Sequence, residues 1–197
     1  ISFFLCLIIN YILPKYNFLI DKKFFPHKSL VSKNTVPISG GIIFVLSAFL
    51  FLKSEYIYSY IIFLIFIVGL LSDLNILKSP FKRFILQILI MFILIFFSQN
   101  FVTSIRIPFF DQLFSNTFFK YFFVIFCLLV LINGSNFIDG VNTLLIGYFI
   151  TVVFMTLLLI NKYNLNIEIQ NLKIIFSVLL ILFAFNFFEK FFCGDGG

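Results

Sequence analysis

The sequence predicts an all-α fold, a polytopic bundle of about seven transmembrane helices that forms a single integral-membrane domain over residues 1–197. Three observations support this prediction. The mean hydropathy is +1.15, charged residues make up only 11% of the chain, and the apolar residues form long runs without the period-two alternation of barrel strands. One soluble core cannot bury so much apolar surface, so the chain is an integral membrane protein.

Seven apolar runs define the predicted spans, and each approaches the ~20 residues that cross ~30 Å of hydrocarbon. They cover residues 1–20, 36–52, 57–71, 82–98, 117–133, 141–160 and 172–190. The first run lacks a basic region and a small-residue cleavage site, which favours a span over a signal peptide. Pro14 is expected to kink that span near its end. In the long connector after the fourth run, Arg106, Pro108 and Asp111 predict a hairpin or an interfacial segment.

Basic residues set the predicted orientation. Connectors and span ends place nine of them on one side, which the positive-inside rule makes cytoplasmic, and five on the other. The nine are Lys15, Lys22, Lys23, Lys28, Lys33, Lys78, Lys82, Arg83 and Lys190, and the five are Lys53, Arg106, Lys120, Lys162 and Lys173. Because the net charge of +6 is spread over short connectors, it argues against a nucleic-acid partner. Three cysteines, an odd number, predict buried thiols and no disulfide framework.

Every segment with unusual polar chemistry falls on the predicted cytoplasmic side. These segments are residues 27–28, 37–41, 72–73, 82–83, 133–143 and 194–195. Carboxylates and carboxamides at the edge of hydrocarbon lose hydration worth several kcal/mol, so they persist where a cation, a phosphate or protein partners replace the water. We therefore expect a functional site at this face of a multi-pass protein of the inner (plasma) membrane.

Asp73 follows an apolar run directly, and Lys82 and Arg83 open the next run. A carboxylate and two cations across a short turn can hold a metal and an anion. The alternative is an interfacial acid with snorkelling bases, which is common at helix ends. Gln87, one turn beyond Arg83, is compatible with both interpretations.

The segment 133–143 offers oxygen ligands at a spacing of three, from Asn133, Asn136, Asp139 and Asn142. On a helix, side chains spaced three residues apart lie on nearly the same face. Hard oxygen ligands suit Mg²⁺, which takes few protein groups and completes its shell with water and phosphate oxygens. The alternative is that these side chains cap helix ends and pack spans together.

Three further features are weaker when taken alone. Asp195 lies among glycines that allow close backbone approach. The segment 37–41 is typical of a loop followed by close helix packing. A solvated loop is the favoured environment of the single histidine, His27, because one histidine cannot build a zinc site. Walker, dinucleotide-binding and Ser-His-Asp patterns are absent from the sequence.

The order of these pieces resembles the polyprenyl-phosphate N-acetylhexosamine-1-phosphate transferases, the glycosyltransferase family 4 that includes the phospho-N-acetylmuramoyl-pentapeptide transferases. The resemblance spans most of the chain and rests on four motifs in order. They are residues 26–28 with 36–41, residues 69–73 with Lys82 and Gln87, residues 133–142, and residues 194–195.

The resemblance implies transfer of a sugar 1-phosphate, of N-acetylhexosamine type, from a UDP-sugar to polyprenyl phosphate, expected to be undecaprenyl phosphate. UMP is released, and the lipid-linked sugar serves cell-wall or surface-polysaccharide synthesis, such as that of peptidoglycan or lipopolysaccharide. The implied cofactor is Mg²⁺, with Mn²⁺ as a substitute. The sequence leaves the oligomeric state open, and a homodimer is compatible with it.

The resemblance also implies roles for individual residues. Asn142 and Asp195 would hold the metal, Lys82 would bind phosphate, and Asp73 would position or deprotonate the lipid phosphate. The predicted catalytic residues are Asp73, Lys82 and Asp139, and the predicted substrate-binding residues are His27, Lys28, Arg83, Asn133 and Asn136.

Two departures from the family pattern qualify this transfer of roles. Ser72 stands where the pattern has the first aspartate of a pair, so direct attack by the lipid phosphate is preferred over a covalent carboxylate nucleophile. The family's histidine-rich loop and last helices would lie beyond Gly197, and we expect the chain to be a fragment cut at both ends that is inactive by itself. Two alternatives remain, a transporter or channel lined by intramembrane polar residues and a degenerate, non-catalytic family member.

Overall fold

The computed structural model describes residues 2–16, 19, 36–52, 56–97, 102, 104–138, 143–165 and 169–194. Within these ranges the chain forms eight α-helices. They are α1 (Ser2–Lys15), α2 (Gly40–Phe51), α3 (Tyr56–Asp73), α4 (Pro80–Phe97), α5 (Pro108–Leu113), α6 (Thr117–Ile138), α7 (Leu144–Tyr163) and α8 (Ile169–Phe187). The predicted all-α membrane helix bundle is confirmed.

Four of the described helices, α4, α6, α7 and α8, are long and apolar enough to cross a membrane. The first two predicted spans were drawn too long, because α1 has 14 residues and α2 has 12. Helix α2 begins only at Gly40 because Ile38, two residues earlier, forms a parallel bridge with Phe192. Pro14 lies inside α1, one residue before the helix ends.

The boundary between the fifth and sixth predicted spans was also wrong. Helix α6 continues to Ile138, so Asn136 lies on its last turns rather than in a connector, and Asn133 lies within the helix rather than at its end. Helix α7 begins at Leu144, after Thr143, which has a left-handed φ of 67°. A β-branched residue rarely adopts this conformation, so tertiary contacts must hold Thr143 in it.

The connector before α6 contains the short helix α5, whose six residues are far too few for a crossing. Pro108 opens the helix, and the carboxylate of Asp111 accepts hydrogen bonds from the Ser104 hydroxyl at 2.8 Å and the Ile105 amide at 2.9 Å. Phe114 is buried against the rings of Phe119 and Phe123. The connector predicted as a hairpin or an interfacial segment thus contains a short helix that packs against the first turns of α6 through aromatic rings.

The long helices pack in a ring in which neighbours along the chain are also neighbours in space. Helix α2 contacts α3, α3 contacts α4, α4 contacts α6, α6 contacts α7 and α7 contacts α8, while α8 returns to α2. Helix α1 packs against α2 and α8. The largest buried cluster joins α1, α2, α7 and α8, and includes Cys6, Ile43, Leu182 and Phe191.

Helix α2 approaches the segment after α8 closely at Gly40. A Cβ added to Gly40 would lie 2.8 Å from the Cys193 Cα and 2.9 Å from the Phe191 ring. The backbone of Cys193 cannot yield without moving the whole segment. A Cβ on Gly134, in α6, would meet nothing within 4 Å.

We predict that Gly40→Ala destabilises the protein by about 1–3 kcal/mol, the usual cost of overpacking. Gly134→Ala is the matched control and should leave stability unchanged or raise it, because alanine is the better helix former. The measurement is thermal unfolding of the detergent-solubilised protein. Equal melting temperatures for the two variants would contradict the close approach at Gly40.

Candidate functional site

The segments before α2 and after α8 are paired at one end of the bundle. The Phe192 amide donates to the Pro37 carbonyl at 3.0 Å, and the Gly40 amide donates to the Phe192 carbonyl at 3.1 Å. The Ile38 amide donates to the Leu19 carbonyl at 2.8 Å. The predicted motif at 36–41 is therefore held by main-chain hydrogen bonds beside the segment that leads to the motif at 194–195, about 150 residues later in sequence.

Asp73, the last residue of α3, lies next to these two paired segments. A Cβ on Gly194 would lie 2.8 Å from Asp73 Oδ2 and 3.1 Å from Oδ1, and would overlap the side chain of Ile38. Gly194 also has a left-handed φ of 73°, so glycine is required here by both space and conformation. The structure thus places the Asp73 carboxylate against the residue that precedes Asp195.

Helix α8 ends in a turn that directs the chain back toward this site. Glu189 has a left-handed φ of 53°, its amide donates to the Asn186 carbonyl at 2.9 Å, and the Lys190 amide donates to the Phe185 carbonyl at 3.0 Å. This pair of hydrogen bonds is the Schellman termination. It returns the chain so that Phe191 is fully buried.

Asn186 is a site residue that the sequence interpretation missed. It is 3% exposed; its Oδ1 accepts from the Thr143 amide at 2.6 Å, and its Nδ2 donates to the Phe191 carbonyl at 2.8 Å. The missed signal is a carboxamide within the apolar run 172–190, where an unpaired polar group is costly. Asn186 connects the start of α7 to the segment that leads to Gly194.

A cavity of about 550 Å³ opens between the start of α4 and the end of α6. Three predicted substrate-binding residues, Arg83, Asn133 and Asn136, line it together. The rest of the lining is apolar and consists of Pro80, Phe81, Phe84 and Phe137. Such a cavity offers the guanidinium of Arg83 and the amide of Asn136 to an anionic group, and aromatic surface to an apolar one.

Arg83 also links α4 to the end of α3. Its Nη1 donates to the Ser72 hydroxyl at 3.1 Å. Lys82, one residue earlier, lies on an exposed face of α4. Both cations therefore stand at the same end of the bundle as Asp73, with Arg83 nearer to the helix interface.

The amide nitrogen of Asn133 has a packing role. It donates to Gln87 Oε1 on α4 at 3.1 Å and to the Leu129 carbonyl within α6 at 2.9 Å. Gln87 is 4% exposed. The interpretation that these carboxamides pack spans together is thus confirmed for this atom, although Asn133 also lines the cavity.

Five predicted site residues, His27, Lys28, Asp139, Asn142 and Asp195, lie outside the described residues. Their roles remain predictions. Among the residues that the structure describes, no group of three His, Cys, Asp or Glu side chains could hold a metal ion. The donors predicted for Mg²⁺ are a carboxylate and a carboxamide, and the Asp73 carboxylate lies beside Gly194. This oxygen chemistry fits a hard divalent cation.

Comparison with known proteins assigns the family. Residues 56–197, well over half of the chain, match the model of glycosyl transferase family 4. The chain belongs to glycosyl transferase family 4. The resemblance predicted from the motifs is thereby confirmed, and the protein is a multi-pass membrane member of that family.

A curated protein is also similar to the chain. The chain is 27% identical over 175 residues to the phospho-N-acetylmuramoyl-pentapeptide-transferase of Dictyoglomus thermophilum. The alignment covers 84% of this chain and 56% of the relative, so the chain spans about half the length of that protein. No solved structure matches the chain.

We predict that Gln87 and Asn133 are energetically coupled in this glycosyl transferase family 4 bundle. Interhelical hydrogen bonds of this kind contribute about 0.6–1.7 kcal/mol in membrane proteins. Gln87→Leu and Asn133→Leu should each destabilise the protein, and the double variant should cost less than the sum of the two. The measurement is a double-mutant cycle of unfolding by SDS in mixed micelles. Strict additivity would contradict the direct contact.

Proposed function

We propose that the protein transfers a sugar 1-phosphate, of N-acetylhexosamine type, from a UDP-sugar to polyprenyl phosphate. The products are UMP and a polyprenyl diphosphate sugar for cell-wall or surface-polysaccharide synthesis. The observation that supports this most strongly is the contact of Asp73 with Gly194. It brings a carboxylate to the chain segment that leads into Asp195, at the end of the bundle where the polar motifs meet.

The arrangement suits a reaction between two polyanions. In the proposed step, an oxygen of the lipid phosphate attacks the phosphorus that carries the sugar. The bond from that phosphorus to the oxygen bridging the diphosphate breaks, and UMP leaves with the electron pair. Catalysis of such a transfer rests on positioning and on stabilisation of the developing charge.

The chain's own residues would divide this work. Asp73 would accept or hold the proton of the lipid phosphate, with Asp139 beside the diphosphate. Lys82 and Arg83 would neutralise phosphate charge. In the α4/α6 cavity, Asn136 and the side-chain oxygen of Asn133 would contact the substrate beside the Arg83 guanidinium.

The predicted metal residues complete the proposed site. Asn142 and Asp195 would hold Mg²⁺, or Mn²⁺ in its place, which supplies charge neutralisation on the diphosphate when bound. His27 and Lys28 would contact the sugar nucleotide. Because the positive-inside rule puts this end of the helices in the cytoplasm, a soluble nucleotide could reach the site while the lipid diffuses in from the bilayer.

A transporter is less well supported by the described geometry. Transporter sites lie near the middle of the bilayer, at the junction of repeats. Here Asp73, Arg83 and Thr143 lie at the ends of their helices, and the contacts between motifs join those ends.

We predict that membranes containing the full-length protein release UMP from a UDP-sugar only when polyprenyl phosphate and Mg²⁺ are both present. Asn142→Ala and Asp195→Ala should abolish turnover, and Asp73→Asn should lower it by about 10²–10⁴-fold, the usual contribution of a positioned acid or base. The control is Asp111→Asn, in the connector at the far end of α6. Near wild-type activity of Asn142→Ala and Asp195→Ala would remove the metal assignment, and no UMP release with any UDP-sugar would favour a non-catalytic family member.

We also predict direct attack, without a covalent enzyme intermediate. Ser72 occupies the position of a carboxylate nucleophile, and its hydroxyl accepts a hydrogen bond from Arg83. Incubation with radiolabelled UDP-sugar in the absence of lipid should leave the protein unlabelled after denaturation. A phosphosugar bound covalently to the enzyme under these conditions would rule out the direct route.

A further inference from the structure

Asn186 forms two main-chain hydrogen bonds, and both reach outside its own helix turn. Its Oδ1 accepts from the amide of Thr143 at 2.6 Å, and its Nδ2 donates to the carbonyl of Phe191 at 2.8 Å. The side chain is 3% exposed. A single planar carboxamide therefore fixes the distance between two parts of the chain that are 48 residues apart in sequence, from 143 to 191.

The first of these parts needs such a partner. Thr143 has a left-handed φ of 67°, a costly conformation for a β-branched residue. Its amide faces Asn186 while its carbonyl accepts from Gly147 at 2.8 Å as α7 begins. The hydrogen bond from Thr143 to Asn186 therefore orients the residue that directly follows Asn142.

The second part, residues 191–194, is also held by contacts with other elements. Phe191 is fully buried, Phe192 pairs with the segment before α2, and Gly194 lies against Asp73. The carbonyl of Phe191 is thus the point where Asn186 fixes a segment whose next polar side chain is Asp195.

Asparagine is the residue type that this geometry requires. The position needs one acceptor and one donor in a group short enough to span both contacts. Aspartate keeps the acceptor but turns a second oxygen toward the Phe191 carbonyl, and leucine removes both of these hydrogen bonds.

We propose that Asn186 is a positioning residue whose contacts with Thr143 and Phe191 set the spacing of the two chain segments that lead to Asn142 and Asp195, and thereby the affinity for a divalent cation. This proposal rests on the metal assignment of the proposed function. Groups that orient metal ligands without touching the metal typically alter metal affinity by about 10- to 100-fold when they are replaced.

The test measures Mn²⁺ binding to the purified full-length protein, without substrates, from the electron paramagnetic resonance signal of free Mn²⁺. Asn186→Asp should weaken Mn²⁺ binding by about 10- to 100-fold. Asn186→Gln keeps both the donor and the acceptor but lengthens the side chain, and it should weaken Mn²⁺ binding by a smaller factor. This variant tests the proposal if Asn186→Asp fails to fold. The two Asn186 variants should release UMP more slowly than the wild type at low Mg²⁺ concentration, and a higher Mg²⁺ concentration should restore the rate.

Two controls separate this effect from a general loss of structure. Ser177→Ala removes a hydrogen bond within α8, from the Ser177 hydroxyl to the Lys173 carbonyl. Asn161→Leu removes an exposed carboxamide from the opposite end of α7. Both should bind Mn²⁺ as the wild type does.

The outcomes distinguish this proposal from the proposed function. Wild-type Mn²⁺ affinity in folded Asn186→Asp and Asn186→Gln would overturn the role of Asn186 while leaving the transferase intact. A wild-type protein that releases UMP but binds no Mn²⁺ would overturn the proposal through the metal site alone. A third result would support the positioning role and reject the transferase. In it, the wild-type protein binds Mn²⁺ but never releases UMP, and the Asn186 variants lose Mn²⁺ binding.

Discussion

The contact between Asp73 and Gly194 is the constraint on which the site depends. It requires the end of α3 and the segment after α8 to meet with no side chain between them, which the left-handed glycine at position 194 permits. The parallel pairing of Ile38 with Phe192 holds the same segment two residues before Gly194. The Asp73 carboxylate therefore lies beside main chain that is also held by the segment before α2 and by Asn186 of α8.

Hydrogen bonding does most of the ordering at this end of the bundle, because its segments are extended or turning rather than helical. In an apolar environment each main-chain amide and carbonyl must find a partner inside the protein. Asn186, the Schellman turn at Glu189 and the pairing of residues 37–40 with Phe192 supply those partners. The same contacts that satisfy the backbone also gather the polar motifs, so stability and site geometry are coupled here.

Much of the architecture could be predicted from the sequence, since long apolar runs leave few alternatives to spanning helices. The weaker predictions were the ends of those helices. The apolar residues 36–38 precede α2 without being helical, and the polar Asn133 and Asn136 do not interrupt α6. Hydropathy measures transfer to lipid, whereas helix ends are decided by hydrogen bonds with distant segments such as Phe192.

By itself the sequence determined the fold class and the family, and it predicted that the polar motifs group on one side of the membrane, because composition, motif order and the parity of crossings are properties of the chain alone. Only the tertiary structure decided which of those residues meet. It placed Asp73 against Gly194, directed the Asn133 amide to Gln87, and showed Asn186 joining Thr143 to Phe191. These contacts depend on how helices far apart in sequence pack, and no local pattern of residues encodes that packing.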